Sequence, residues 1–185
     1  VTHINDTNGA SLFNVMAGSS YNFMIYPYTN TGMDIDYKTD GTVPMASVST
    51  NPIPTYDIAT ISSTNMTTGN PDSLGVYCKI VGVINSIDFD GNNGYNFYLA
   101  DSTGGMYAFN FSDINNYQSQ IGDEVRLVGE IDIYFGLTEF VMDSITLLSQ
   151  GNPRGTPQVI TTMDESVEGE FVEIQGLYLA DASQW

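Results

Sequence analysis

The sequence predicts an all-β protein organised around one small five-stranded barrel, and three observations point there. Leu74 to Leu148 runs as strand, loop, strand, tight turn, strand, short helical stretch, strand, turn, strand. Within it, Val125, Leu127, Gly129, Ile131 and Ile133 alternate with Arg126, Glu130 and Asp132, the inside–outside period of a half-buried strand. Aromatic residues make up 12% of the chain, and they sit among many Thr, Ser, Asn and Gly, a composition that fits pleated surfaces and turns.

Each element of that stretch has a local reason. The first strand spans Val76 to Ile87, with Gly82 in its middle permitting the sharp coil that lets one strand serve both sides of a small barrel. A polar loop, Asp88 to Gly94, precedes the second strand, Tyr95 to Ala100, which places Tyr95, Phe97 and Leu99 on one face. Asp101-Ser102-Thr103-Gly104-Gly105 is hairpin-turn chemistry, and Met106 to Phe111 is the third strand. Ser112 to Tyr117 opens with N-capping residues and is expected to form one or two helical turns. Gly122-Asp123 turns into the fourth strand, and Phe135-Gly136 into the fifth, Leu137 to Leu148. A helix between strands three and four of such a set gives the order of an OB-type Greek-key barrel.

The flanks read differently. Residues 1–44 hold strand-like runs at 10–15, Ser20 to Tyr28 and Asp34 to Lys38; Tyr21, Phe23 and Ile25 alternate with Asn22, Met24 and Tyr26, and Pro27 implies an edge or bulge. Such strands do not bury a core by themselves. Residues 45–56, with Pro52 and Pro54 and no apolar period, read as a linker into a barrel domain over 57–149, with Asp57 to Ile61 as an apolar lead-in. Residues 150–157, with Pro153 and Pro157, read as a second linker. After it, Gly169-Glu170-Phe171-Val172-Glu173-Ile174-Gln175-Gly176-Leu177 echoes Gly75-Val76-Tyr77-Cys78-Lys79-Ile80-Val81-Gly82-Val83, and Ile160-Thr161-Thr162-Met163 echoes Ile58-Ala59-Thr60-Ile61. Residues 158–185 are thus expected to begin a second copy in a tandem array, cut off at Trp185.

Charge narrows the function classes. Lys and Arg number 4 against 22 Asp and Glu, for a formal net charge of -18. Sequence-independent affinity for nucleic acid comes from Lys and Arg displacing counterions, so this surface disfavours a polyanion unless a divalent cation bridges. One cysteine, Cys78, excludes an intramolecular disulfide; it shares strand parity with Val76 and Ile80 and reads as a buried thiol. His3 is the only histidine, so neither a zinc site nor a His-based triad assembles. No run has the length of a membrane span. Catalysis is not expected.

Three groups of residues are candidates for binding. Asp88, Asp90 and Asn92 alternate as oxygen ligands do in calcium loops, yet Asn93 and Leu99 stand where the EF-hand pattern wants Gly and Glu, and Asp and Asn beside Gly also suit a plain turn. Tyr98, Tyr107 and Phe109 fall on the two strands that OB barrels use for ligands, with Phe89 and Tyr134 in flanking loops; stacking on bases or sugars is one use of such rings, and core or domain contact is the other. Lys79 and Arg126 are the positive charges of the barrel, candidates for a ligand or for pairing with acids.

Two resemblances add to this. Ala17-Gly18-Ser19-Ser20-Tyr21-Asn22-Phe23-Met24-Ile25 followed by Asn30-Thr31-Gly32 resembles the last strands of a fibronectin type III domain, with Tyr21 at the tyrosine-corner position and Ile35 to Pro44 like its closing strand. Gly75 to Leu148 resembles the OB-like repeats of secreted bacterial nucleases and other multidomain surface proteins. That likeness rests on Gly82-Val83, the run Phe97 to Gly105, Ile121 to Val125, Val128-Gly129 and Gly136-Leu137-Thr138. Together the resemblances imply a fragment of a long exported bacterial protein, of the kind sent out by type IX secretion, extracellular or on the cell surface, with any targeting segment outside this chain. They imply a non-catalytic spacer or binding module working beside other domains of the same chain. The rivals are a nucleic-acid-presenting accessory domain of a secreted nuclease or phosphoesterase, and a carbohydrate-binding module.

Overall fold

The computed structural model describes residues 15–30, 32–91, 93–178, 180, 181 and 183. His3, the expected strand residues at 10–14, Asn92 and Trp185 lie outside them. The chain divides into two units, Val1–Ile53 and Pro54–Trp185.

In the first unit, β1 (Ser20–Met24) pairs antiparallel with β4 (Met45–Ser49), and β2 (Tyr28–Thr29) with β3 (Asp36–Tyr37) around a 3-10 turn at Gly32–Asp34. The stretch read as linker therefore supplies a strand, and the strand paired with β1 is Met45–Ser49, not the stretch Ile35 to Pro44. Both outcomes have one cause: every side chain of β4 is exposed, so it carries no apolar period, and only its backbone pairing defines it. Asn22 Oδ1 accepts from Ser47 Oγ at 2.6 Å across this ribbon, and the Met16 N–H donates to the Tyr21 hydroxyl at 2.6 Å.

The second unit opens with Thr55 in a parallel bridge to Lys79 and with helix α1 (Ile58–Ile61). Strands β5 (Tyr77–Ile84), β6 (Tyr95–Ala100), β7 (Gly105–Asn110), β8 (Glu124–Tyr134) and β9 (Leu137–Ser149) then close a barrel in the order β5-β6-β7-β9-β8, with β8 returning to β5. Only β7 and β9 run parallel within it. This is the OB-type Greek-key barrel, all-β with one short helix. At Val83, β5 pairs with Ala100 on one side and Glu124 on the other, the double service that Gly82 prepares: a Cβ on Gly82 would stand 2.9 Å from the Ala100 carbonyl oxygen.

The short helix lies before the barrel, not between strands three and four. Ser112 to Tyr117 stays a turn because Asn115 and Asn116 take φ of 60° and 53°, the left-handed region that no right-handed helix admits. The Asp57 cap position of α1 makes no side-chain bond. Instead Asp101, in the β6–β7 turn, accepts the Ile58 N–H at 2.9 Å, and Thr103 Oγ1 accepts that of Ala59 at 3.1 Å. Burial raises the Asp101 carboxyl, but hydrogen bonds from Ile58, Thr103 and Gly104 outweigh it and hold the group below the ordinary 3.8. A depressed carboxylate stabilises the fold above its unfolded value and loses that contribution as pH falls through the folded one. Asp101→Ala is expected to cost about 1 kcal/mol at neutral pH, with the gap to the parent protein narrowing below about pH 4, as thermal melts at several pH values will read.

The barrel interior is built from alternate residues: Cys78, Ile80 and Ile84 of β5, Phe97 and Leu99 of β6, Leu127 and Ile131 of β8, and Phe140 and Met142 of β9, joined by Ile58 and Ile61 of α1. Burial pushes the Cys78 thiol up to about 11, so it is packing and no nucleophile at neutral pH.

Past the barrel, β10 (Gln158–Ile160) pairs parallel with β11 (Val172–Ile174) around a 3-10 turn at Glu165–Val167. This repeats the layout of Thr55, α1 and β5, and the aligned glycines Gly75 and Gly169 share a left-handed φ, 77° and 74°. The segment is fastened to the barrel by two carboxylates. Glu170 Oε1 accepts the Gly105 N–H at 3.0 Å, and Glu168 Oε2 that of Thr138 at 3.2 Å.

Candidate functional site

Strand alternation places Phe97 and Leu99 inside and Tyr98 outside on β6, and Ala108 inside with Tyr107 and Phe109 outside on β7. The outward rings form a continuous stripe. Tyr98 and Tyr107 are cross-strand partners with centroids 5.2 Å apart, Tyr107 and Phe109 lie near-parallel at 6.5 Å, and Phe111 meets Phe109 edge-on at 4.6 Å. The first three are half-buried, whereas Phe111 is 86% exposed. Phe111 is a member that the sequence reading missed, although the period of two that selects Phe109 selects it as well.

The charge around the stripe is negative. Across β9 and β8 the row continues from Tyr107 to Glu139 and then Asp132, like charges directly opposite one another. Glu139 is buried, and burial followed by repulsion from Asp132 raises its carboxyl. Burial and then Glu168 raise the Tyr98 hydroxyl; burial, then Glu139, Tyr98, Asp90 and Asp88, raise that of Tyr107. Lys79 and Arg126 stay on the outer face of β5 and β8, opposite Val128 and Val81 in the register, and are not brought into the stripe. Tyr134, expected in a loop, is the last residue of β8, paired with Leu137 and edge-on to the exposed Phe135 at 4.7 Å, and Phe89 is an exposed loop residue whose N–H is taken by the Asn96 carbonyl at 2.7 Å.

In the acidic loop, Asp88 Oδ1 accepts the N–H groups of Asp90 and Asn96, both at 3.0 Å, and Asp90 Oδ2 accepts that of Gly94 at 3.0 Å. These are turn-forming bonds of the Asx kind. Among the described residues no group of three or more His, Cys, Asp or Glu side chains is placed to hold a metal ion. Next to this loop the Tyr95 hydroxyl lies 2.8 Å from Asp113 Oδ1 and 2.9 Å from the Tyr117 carbonyl, tying the 112–117 turn to β6.

At the Tyr98 end of the stripe lies a cavity of about 180 Å³, lined by Asn85, Ser86, Tyr98, Leu99, Arg154, Gly169, Glu170 and Phe171. Asn85 and Arg154 carried no signal in the sequence: one follows β5 directly and the other sits in a Pro-containing connection. Their meeting depends on the carboxylate fastening of the segment after β9.

No protein-family model matches this chain, and none of the curated proteins compared with it does. Among solved structures, the second OB-fold domain of replication protein A from Methanococcus maripaludis, determined by solution NMR, is similar at 15% identity and a TM-score of 0.39, over 54% of this chain and 99% of that one. Among the described residues no helix is long and apolar enough to cross a membrane.

Proposed function

We infer that the barrel is a non-catalytic binding and spacing module of a secreted or cell-surface bacterial protein, and that its ligand is a neutral glycan. The observation that carries this reading is the ring stripe Tyr98–Tyr107–Phe109–Phe111 set beside carboxylates instead of cations. Ring faces stack on sugars and bases alike, but the phosphates that accompany bases would meet Glu139, Asp132 and Glu168, against which Arg154 at the Tyr98 end sets one positive charge. A neutral chain of sugar rings meets no such cost.

The spacer half of the proposal draws on the flanking architecture. The bond from the Met16 N–H to the Tyr21 hydroxyl is the kind of tie-back that a tyrosine corner makes, which supports a fibronectin type III-like ribbon ahead of the barrel. The repeated layout around β5 and β11 supports a tandem array behind it.

Titration calorimetry of the whole chain with neutral oligosaccharides and with single-stranded DNA, in about 50 and about 500 mM salt, tests the ligand class. Glycan binding indifferent to salt is expected, and Tyr107→Ala is expected to weaken it by about tenfold or more, the worth of one stacked ring. Salt-sensitive DNA binding together with silence towards every glycan would reverse the assignment.

A further inference from the structure

We propose that the cavity between Tyr98 and the segment Arg154–Phe171 is a subsite for one uncharged sugar unit, the terminal ring of the chain that lies along the stripe. The proposal rests on the glycan reading and adds where the ligand ends and which groups hold its last ring.

Size comes first. Sites for drug-sized molecules run from about 300 to 1,000 Å³, so a cavity of about 180 Å³ matches a single ring rather than a longer ligand. Position follows: Tyr98 is at once the end of the stripe and a wall of the cavity, so a ligand stacked on Tyr107 has its next unit there.

The polar groups decide the chemistry. Asn85 is 5% exposed and its Oδ1 has no hydrogen-bond partner among the described residues, a group that costs stability until a donor reaches it. Glu170 commits Oε1 to the Gly105 N–H, and a carboxylate keeps further lone pairs beyond that bond. Arg154 provides donors only, its guanidinium carbon 4.6 Å from the centroid of the Phe171 ring, which fixes the fork beside an apolar surface. Asn85, Glu170 and Arg154 thus line one small volume, with the rings of Tyr98 and Phe171 as its apolar walls.

A sugar hydroxyl both donates and accepts, so a vicinal diol satisfies both kinds of group at once, one hydroxyl accepting from Arg154 and its neighbour donating to Asn85 or Glu170. A phosphate would satisfy Arg154 and meet the carboxylate of Glu170. An ammonium would satisfy the acceptors and meet Arg154. The mixed set favours the neutral polyol over either ion.

The test uses the whole chain and defined probes: methyl glycosides of glucose, galactose, mannose and N-acetylglucosamine, and their tetrasaccharides, followed by NMR and calorimetry. Asn85→Leu, which fills the orphaned acceptor's place with an apolar group, and Arg154→Gln are each expected to weaken the best tetrasaccharide by about tenfold, the loss of one charge-assisted or buried hydrogen bond. Both are also expected to abolish binding of the matching methyl glycoside. Tyr107→Ala, outside the cavity, is expected to spare the methyl glycoside while weakening the tetrasaccharide. If tetrasaccharides bind and respond to Tyr107→Ala but not to Asn85→Leu or Arg154→Gln, the cavity holds water only; the subsite is then overturned while the stripe stands. If no saccharide binds, subsite and stripe reading fall together.

Discussion

Replacing Gly129 by alanine is expected to destabilise the barrel by about 3 kcal/mol, the upper range for overpacking a closed interior. A Cβ at this position would stand 2.1 Å from the Val141 carbonyl oxygen and 2.7 Å from Met142 Cα. Both obstacles are backbone of the neighbouring strand, so no side chain can swing aside. Gly129 lies where the β8–β9 register shifts, beside Val128, and that bulge lets β8 bend from β9 toward β5 around the barrel. Separating the two strands would break pairing on both sides of the shift. Urea titration reads the effect as a lowered midpoint with an unchanged slope if the variant still folds as one unit; a midpoint equal to that of the parent protein would mean that the bulge yields at no cost.

Phe140→Ala is expected to cost about 4 kcal/mol, the usual loss on emptying an aromatic site in a core. Phe140 is fully buried, opposite Ala108 on the parallel side and Ile131 on the antiparallel side of β9. The small Ala108 stands between Phe97 and Phe140 in this row, so the ring fills space that Ala108 leaves open. Phe111→Ala is the matched control. With that ring 86% exposed, its removal is expected to leave stability within about 0.5 kcal/mol while shortening the stripe. Parallel melts of the two variants therefore separate the packing role of a buried phenylalanine from the contact role of an exposed one.

The barrel was legible in the sequence because its strands alternate: the expected inside and outside faces of β6 are those observed, and the boundaries Tyr95–Ala100 are identical. The same alternation brought Tyr98, Tyr107 and Phe109 to one face. Two errors came from local chemistry that tertiary geometry overruled. Ser112 to Asp113 offers helix caps, but the two asparagines after Ile114 adopt left-handed backbone and end any helix there. Met45–Ser49 pairs through its backbone with all side chains in solvent, and a strand without a buried face leaves no period to find. The cavity was illegible for a different reason. Asn85, Arg154 and Glu170 are far apart in the chain, and it is the fastening of the last segment to Gly105 and Thr138 that brings them together.

The order of strands around the barrel also governs how the chain reaches this structure. The edge of β5 that pairs with β8 must wait through β6, β7 and the 112–117 turn before Leu127 arrives opposite Ile80. Closure is therefore dominated by contacts distant in sequence, and non-local pairing of this kind puts folding in the millisecond-to-second range. Until it happens, a chain emerging from its N-terminus presents an apolar strand with one unsatisfied edge. Such an edge can pair with the wrong partner before its own strand arrives. A net charge of -18 opposes encounters between such half-formed barrels, because like-charged chains repel.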